Sequence, residues 1–290
     1  MHVSIAPDTI VGPVRLVVAD LDRVSDFYEN TIGLRAVDRS NGVVRLGAEA
    51  GGPPVVELVG RPDAPARPPG STGLFHLAVL VPSRPELARS LQRVAAAGWR
   101  FTGASDHLVS EALYLNDPEG NGIEVYRDRR REEWRHVNGE IEMATIPLDL
   151  EGLMSELPPD GDADGGVPAG TRIGHVHLQV AELASAEDFY AGTVGFDVTV
   201  RSYPGALFVS AGGYHHHIGM NTWNSAGGSP PPPGSRGLDW FEVVLPGPGE
   251  LARETERLEA GGACVEQNDD PAGVLATDPS GNRLLLTSRS

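Results

Sequence analysis

Six histidines of this 290-residue chain sit in apolar or strand-like surroundings. His76 lies in FHLAVLV, His175 and His177 in GHVHLQV, and His215, His216 and His217 in GGYHHHIGMN. Two carboxylates have similar settings, Glu57 in VVEL and Glu124 in GIEV. Imidazole and carboxylate groups ligate metals and carry protons in catalysis. A lone strand histidine is usually a satisfied or surface residue, so His76 alone argues little. Glu124 argues more, because an acid between Ile123 and Val125 is costly to bury unpaired. A metal would supply the partner, and so would the polar face of an edge strand. The same polar-face reading is preferred for Glu57. Tyr114 alone reads as a half-buried core residue. The triple histidine reads as a surface tract or as a strand whose outer two residues share a face, with His216 on the other.

The elements that position these groups repeat. Val11 to Leu34 (VGPVRLVVADLDRVSDFYENTIGL) matches Ile173 to Phe196 (IGHVHLQVAELASAEDFYAGTVGF). More loosely, Gly73 to Tyr126, which closes on NDPEGNGIEVY, matches Gly237 to Thr287, which closes on TDPSGNRLLLT. Each unit of about 50 residues reads as a period-2 strand, an amphipathic helix and two or three further strands. In the helix around Leu87 to Ala97, the stripe is Leu87, Leu91, Val94 and Ala95. The repeats place modules at 11–60, 73–127, 172–223 and 237–288. They divide the chain into a first domain at 1–127 and a second at 172–290. The segment 128–171 is read as a linker with a short helix near Asp149 to Leu157, followed by a flexible LPPDGDADGGVPAG.

Composition narrows the function. All 23 basic residues are arginine, against 40 acidic residues, for a net charge of −17. That balance excludes nucleic acid and anionic membrane as expected partners, since both need a basic footprint. No apolar run approaches the roughly 20 residues that span a bilayer. The N-terminal sequence has no basic-then-apolar signal pattern, so a cytoplasmic location is expected. Cys264 is the single cysteine, which excludes an intrachain disulfide and a thiolate metal cluster.

The βαβββ repeat and its DPEGNG and DPSGN turns resemble the vicinal oxygen chelate superfamily. Within it, the chain looks most like the two-domain extradiol ring-cleaving dioxygenases of the bacterial catechol 2,3-dioxygenase type. The resemblance implies an α+β fold of four βαβββ modules forming two half-open barrels. It also implies metal ligands on the first and last strands of each module. The first-strand positions are Pro13, His76, His175 and Trp240, and the last-strand positions are Glu57, Glu124, Gly219 and Leu285. Pairing modules three and four leaves His175 alone. Pairing one and two gives His76, Glu124 and Glu57. Pairing two and three gives His76, Glu124 and His175, the two-imidazole, one-carboxylate triad of non-haem Fe(II) sites. His177 is the alternative to His175.

Accessory positions of the family favour the last pairing. Tyr114 stands ten residues before Glu124, as the family's tyrosine does. His107 stands seven before Tyr114, two closer than in the relatives. By alignment on the following Ile-Gly, His216 matches the family's acid–base histidine. The resemblance therefore implies metal ligation by His76, Glu124 and His175, with His216, His107 and Tyr114 as catalytic groups. The implied cofactor is Fe(II), with Mn(II) as the alternative. The implied partners are a small aromatic diol and O₂, with a homo-oligomer left open. Three ligands on one face leave places for the diol and for O₂. A glyoxalase-type lyase or isomerase, which uses a fourth acidic ligand at the position of Gly219, is the competing enzyme. A non-catalytic binder of small planar molecules is the third reading.

Overall fold

The computed structural model describes residues 4–157 and 165–289. Residues 158–164, half of the expected flexible LPPDGDADGGVPAG stretch, fall outside the described residues. Four βαβββ modules follow one another, so the class is α+β. The first comprises β1 (Ile10–Val18), α1 (Leu21–Phe27), β2 (Arg35–Ser40), β3 (Val43–Gly47) and β4 (Pro54–Gly60). The second comprises β5 (Gly73–Leu80), α2 (Arg84–Ala96), β6 (Phe101–Asp106), β7 (Ser110–Asn116) and β8 (Gly122–Asp128). A connecting segment holds β9 (His136–Val137), β10 (Glu140–Ile141), β11 (Ile146–Pro147) and α3 (Leu150–Met154). The third module comprises β12 (Arg172–Gln179), α4 (Leu183–Glu187), β13 (Asp197–Val200), β14 (Ala206–Ser210) and β15 (Ile218–Asn221). The fourth comprises β16 (Gly237–Leu245), α5 (Pro248–Ala260), β17 (Cys264–Asp269), β18 (Ala272–Thr277) and β19 (Arg283–Ser288). No helix among the described residues is long and apolar enough to cross a membrane.

The repeated turn sequences do repeated work. Asp117 accepts hydrogen bonds from the Glu119 and Asn121 backbone and from the Asn121 side chain. Asp278 does the same for Ser280 and Asn282. Each aspartate thereby satisfies a tight turn that feeds the last strand of its module. Burial pushes both carboxyls above the usual range, against the lowering effect of those hydrogen bonds. A second device closes α1 and α4, the helices of modules one and three. α1 widens into a π-type turn over Tyr28–Ile32 and ends on Gly33 at φ +91°. The Arg93 guanidinium of α2 lies against that glycine, where a Cβ would come within 2.8 Å of it, and donates to the Ile32 carbonyl. Arg257 of α5 donates likewise to the Val194 carbonyl beside Gly195.

That ion explains one departure from the sequence reading. On α2, Leu87 and Val94 are buried, but Leu91 is only half-buried and Ala95 is exposed. The covered stripe runs instead through Ser90 and Arg93, because Arg93 turns inward to the helix-end carbonyl at Ile32.

Within the modules the strand orders are β1-β4-β3-β2, β11-β6-β7-β8-β5, β12-β15-β14-β13 and β17-β18-β19-β16. By compactness the chain forms two units. One takes its residues from Met1–Val14, Pro65–Phe75 and Gly174–Ser290, the other from Arg15–Ala64 and His76–Ile173. The helix expected near Asp149 to Leu157 is α3, capped by the Asp149 carboxylate on the Gly152 N–H. The rest of the connecting segment up to residue 157 is described, and its β11 adds to the sheet beside β6.

Candidate functional site

In the unit that contains module two, the hairpin β7–β8 explains a sequence spacing. The Asp117 turn pairs the strands so that Tyr114 stands opposite Glu124. On its other side Glu124 stands opposite Ala78 of the parallel strand β5. His76, two residues before Ala78, projects from the same face of β5. Its Nε2 lies 2.9 Å from Oε2 of Glu124, and both residues are buried. Two lone pairs cannot meet at that distance without a positive charge between them, a proton or a cation. The His76 ring also lies 5.6 Å from the Tyr114 ring.

His107 sits in the tight connection between β6 and β7. Its Nε2 is 2.7 Å from the Tyr114 hydroxyl, and its Nδ1 is 2.7 Å from the Ala144 carbonyl of the connecting segment. Leu108 holds the next position at φ +69°, a conformation L residues rarely adopt. Asp106 accepts from the Leu108 N–H, and His107 N–H donates to Ser110 O.

In the other unit, β12 carries His175 and His177, both buried. His215, His216 and His217 are also buried, but they precede β15 instead of lying on a strand. Gly212 and Gly213, at φ +58° and +67°, turn the chain ahead of them. The expected strand alternation therefore does not govern these three, and each has its own packing. The His216 ring is 4.1 Å from the His175 ring, and its Nδ1 is 2.8 Å from Nδ1 of His215. His217 packs on Tyr214, and its Nδ1 accepts from the Ala211 N–H. His177 touches Phe75, Phe208 and Trp223. It stands opposite Gly219, where a Cβ would lie 3.1 Å from the His177 ring. The imidazole of His177 thus crowds the position where a fourth acidic ligand would stand.

Glu57 has a different environment from Glu124, although both are buried on the last strand of a module. Arg15 Nε and Nη2 donate to its Oε2 at 2.9 and 2.7 Å, and Arg45 Nε approaches Oε1 at 3.4 Å. Arginine satisfies this carboxylate.

Among the described residues, the set of His, Cys, Asp and Glu side chains able to hold one ion is His76, Glu124 and His175. One potential ligand atom from each lies within 4.8 Å of the other two, and all three residues are buried. The donor set of two imidazoles and one carboxylate suits a non-haem Fe(II) or Mn(II) ion.

Three contributors escape the sequence reading. The Ala144 carbonyl has no side-chain signature. The left-handed Leu108 is not marked by glycine or asparagine. The Phe75, Phe208 and Trp223 rings around His177 come from three separated segments, and only the HVH pattern hints that His177 needs partners.

The family model of the glyoxalase/bleomycin resistance protein/dioxygenase superfamily matches residues 10–125 and 172–286. The chain is 42% identical over 271 residues to a catechol-2,3-dioxygenase of Bacillus subtilis, covering 92% of this chain and 93% of that one. Among solved structures, a Bacillus subtilis protein described as a candidate dioxygenase aligns with a TM-score of 0.68 at 13% identity. That alignment covers 99% of this chain and 86% of the other. Glyoxalase I from Zea mays aligns with a TM-score of 0.59 at 13% identity, over 97% and 92% of the two chains. At that identity the structural likeness shows the fold, with its sheets curled as half-open barrels.

Proposed function

The chain belongs to the glyoxalase/bleomycin resistance protein/dioxygenase superfamily, and from that premise we propose that it is an extradiol dioxygenase. Its substrate is a catechol-type diol, cleaved by O₂ next to the two vicinal hydroxyls. The observation that carries the reading is the convergence of His76, Glu124 and His175 in a buried two-imidazole, one-carboxylate set. The 42% identity to a catechol-2,3-dioxygenase supports it independently.

His76, Glu124 and His175 are the residues that hold Fe(II), with Mn(II) as the alternative ion. When bound there, the metal supplies a Lewis acid that acidifies the diol and brings it together with dioxygen. The remaining roles belong to side chains. His216, against the His175 ring, is the group that accepts a proton from the diol and returns it during ring opening. Tyr114, opposite Glu124, hydrogen-bonds a substrate oxygen and orients the ring, with His107 behind it. Burial of the ligand set keeps water from competing for the charged groups.

The lyase reading of the same fold is disfavoured by Gly219. It has no side-chain ligand to offer, and the His177 ring occupies the space in front of it. A non-catalytic binder has no need of this donor set. The test is metal content: the purified chain is expected to hold one Fe(II) or Mn(II), and His76→Ala and His175→Ala are each expected to lose it. Full metal content in both variants would refute the ligand assignment.

A further inference from the structure

The connecting segment between modules two and three reaches back to His107. β11 pairs with β6 at Ile146↔Asp106 and Pro147↔Ser105. The Ala144 N–H donates to the His107 carbonyl at 3.4 Å, and the Ala144 carbonyl lies 2.7 Å from His107 Nδ1. The strap is anchored farther along. Arg84, at the start of α2, donates to the Gly152 carbonyl at 3.0 Å and pairs with Glu156. The loop that it braces is the one holding Leu108 in the left-handed region.

A carbonyl oxygen has no hydrogen to give. A contact of 2.7 Å between it and an imidazole nitrogen is attractive only if that nitrogen carries the proton. Were Nδ1 unprotonated, its lone pair would face the carbonyl lone pairs at that distance. The Thr145 hydroxyl at 3.4 Å is too far to offset that repulsion. In the neutral ring a proton on Nδ1 leaves Nε2 as an acceptor. The group at Nε2 is the Tyr114 hydroxyl, 2.7 Å away, which then donates to it. A phenol that spends its proton on an imidazole offers only lone pairs in other directions.

We propose that the connecting strap is a positioning element that fixes His107 as its Nδ1–H tautomer through the Ala144 carbonyl, so that Tyr114 meets the substrate as a hydrogen-bond acceptor. The consequence for substrate rests on the extradiol reading above: the acceptor selects a diol that still carries a hydroxyl proton toward Tyr114. Ala144 touches no substrate and acts through His107. Backbone supplies the control, and backbone bears no signature in the side-chain sequence.

The tautomer can be read without turnover. In ¹⁵N-histidine-labelled full-length protein loaded with diamagnetic Zn(II), two-bond ¹H–¹⁵N correlations distinguish protonated from unprotonated ring nitrogens. His107→Gln identifies the His107 signals by their disappearance. The expected pattern is a protonated Nδ1 and an acceptor Nε2. Tyr114→Phe is expected to move the Nε2 line and leave Nδ1 in place. Ala144→Pro removes the N–H that ties the strap to His107, and it should give averaged lines from two tautomers. With catechol, that variant should lose about tenfold or more in kcat, part of the 10²–10⁴ range for a lost proton-handling group, while KM changes less than about threefold. A protonated Nε2 in the unaltered protein overturns the proposal. If Ala144→Pro does not fold, the spectrum of the unaltered protein decides alone. Failure of the chain to bind Zn(II) or consume O₂ would tell against the dioxygenase reading and leave the tautomer readable.

Discussion

Glu57 and Glu124 are both buried and occupy equivalent positions on β4 and β8, yet their substitution by glutamine should have opposite consequences. Glu57 is an arginine partner. It accepts two hydrogen bonds from Arg15 and a longer one from Arg45, whose side chains are 15% and 23% exposed. Glutamine keeps one acceptor oxygen and loses the charge. Charge-assisted hydrogen bonds contribute about 1.5–3 kcal/mol each when buried, and partial exposure of both arginines reduces that. A net loss of about 2 kcal/mol is therefore expected, which is about 4–8 °C in Tm for a chain of this size. Metal content and activity should stay within a few-fold of the parent. Glu124 has His76 as its neighbour, and a glutamine oxygen still accepts from an imidazole N–H. Metal-free Glu124→Gln should consequently lose about 1 kcal/mol or less. It should nevertheless lose the ion, because the site's one anionic ligand is gone. Metal analysis of both proteins, with urea unfolding in the presence of a chelator, separates the two cases. Metal lost from Glu57→Gln and kept by Glu124→Gln would refute the assignment and place the site on module one.

Three further outcomes follow from the same geometry. His216→Phe should keep its metal and bind catechol but lose about 10²–10⁴ in turnover, whereas His217→Phe should do less harm to turnover; loss of metal in His216→Phe would make that residue a ligand. Gly219→Ala should cost about 1–3 kcal/mol by overpacking, since its Cβ meets the His177 and Phe208 rings at 3.1 and 3.2 Å, and an unchanged unfolding midpoint would contradict this. The Asp278 carboxyl is raised by burial, so the folded chain holds this proton to higher pH than the unfolded chain does. Its contribution is most favourable below about pH 4 and is lost as pH rises through the folded value. Asp278→Asn should therefore gain stability relative to the parent between pH 4 and pH 7 in urea unfolding; a relative loss over that interval would reverse the sign.

Much of this site is legible in the residues because its spacings are set by local structure. Nine residues between Tyr114 and Glu124 are what a hairpin needs to put them side by side, with Asp117 holding the turn. The first-strand histidines are legible for a similar reason, since the module repeat marks where each strand begins. Side-chain pattern fails where backbone or a distant charge takes over. Paired glycines at 212 and 213 deny His215 to His217 the strand expected of them. Arg93 displaces Ala95 from the covered stripe of α2 because a helix end at Ile32 needs its guanidinium. The strap that meets His107 contributes a carbonyl, and every residue type has one.

The measurement that bears most directly on the account is the product of catechol turnover by the Fe(II)-loaded chain under O₂, with oxygen consumption followed at the same time. The account predicts one O₂ consumed per catechol and a yellow ring-opened semialdehyde, from cleavage beside the diol. No oxygen consumption by the loaded protein, or a diacid from cleavage between the hydroxyls, would contradict it.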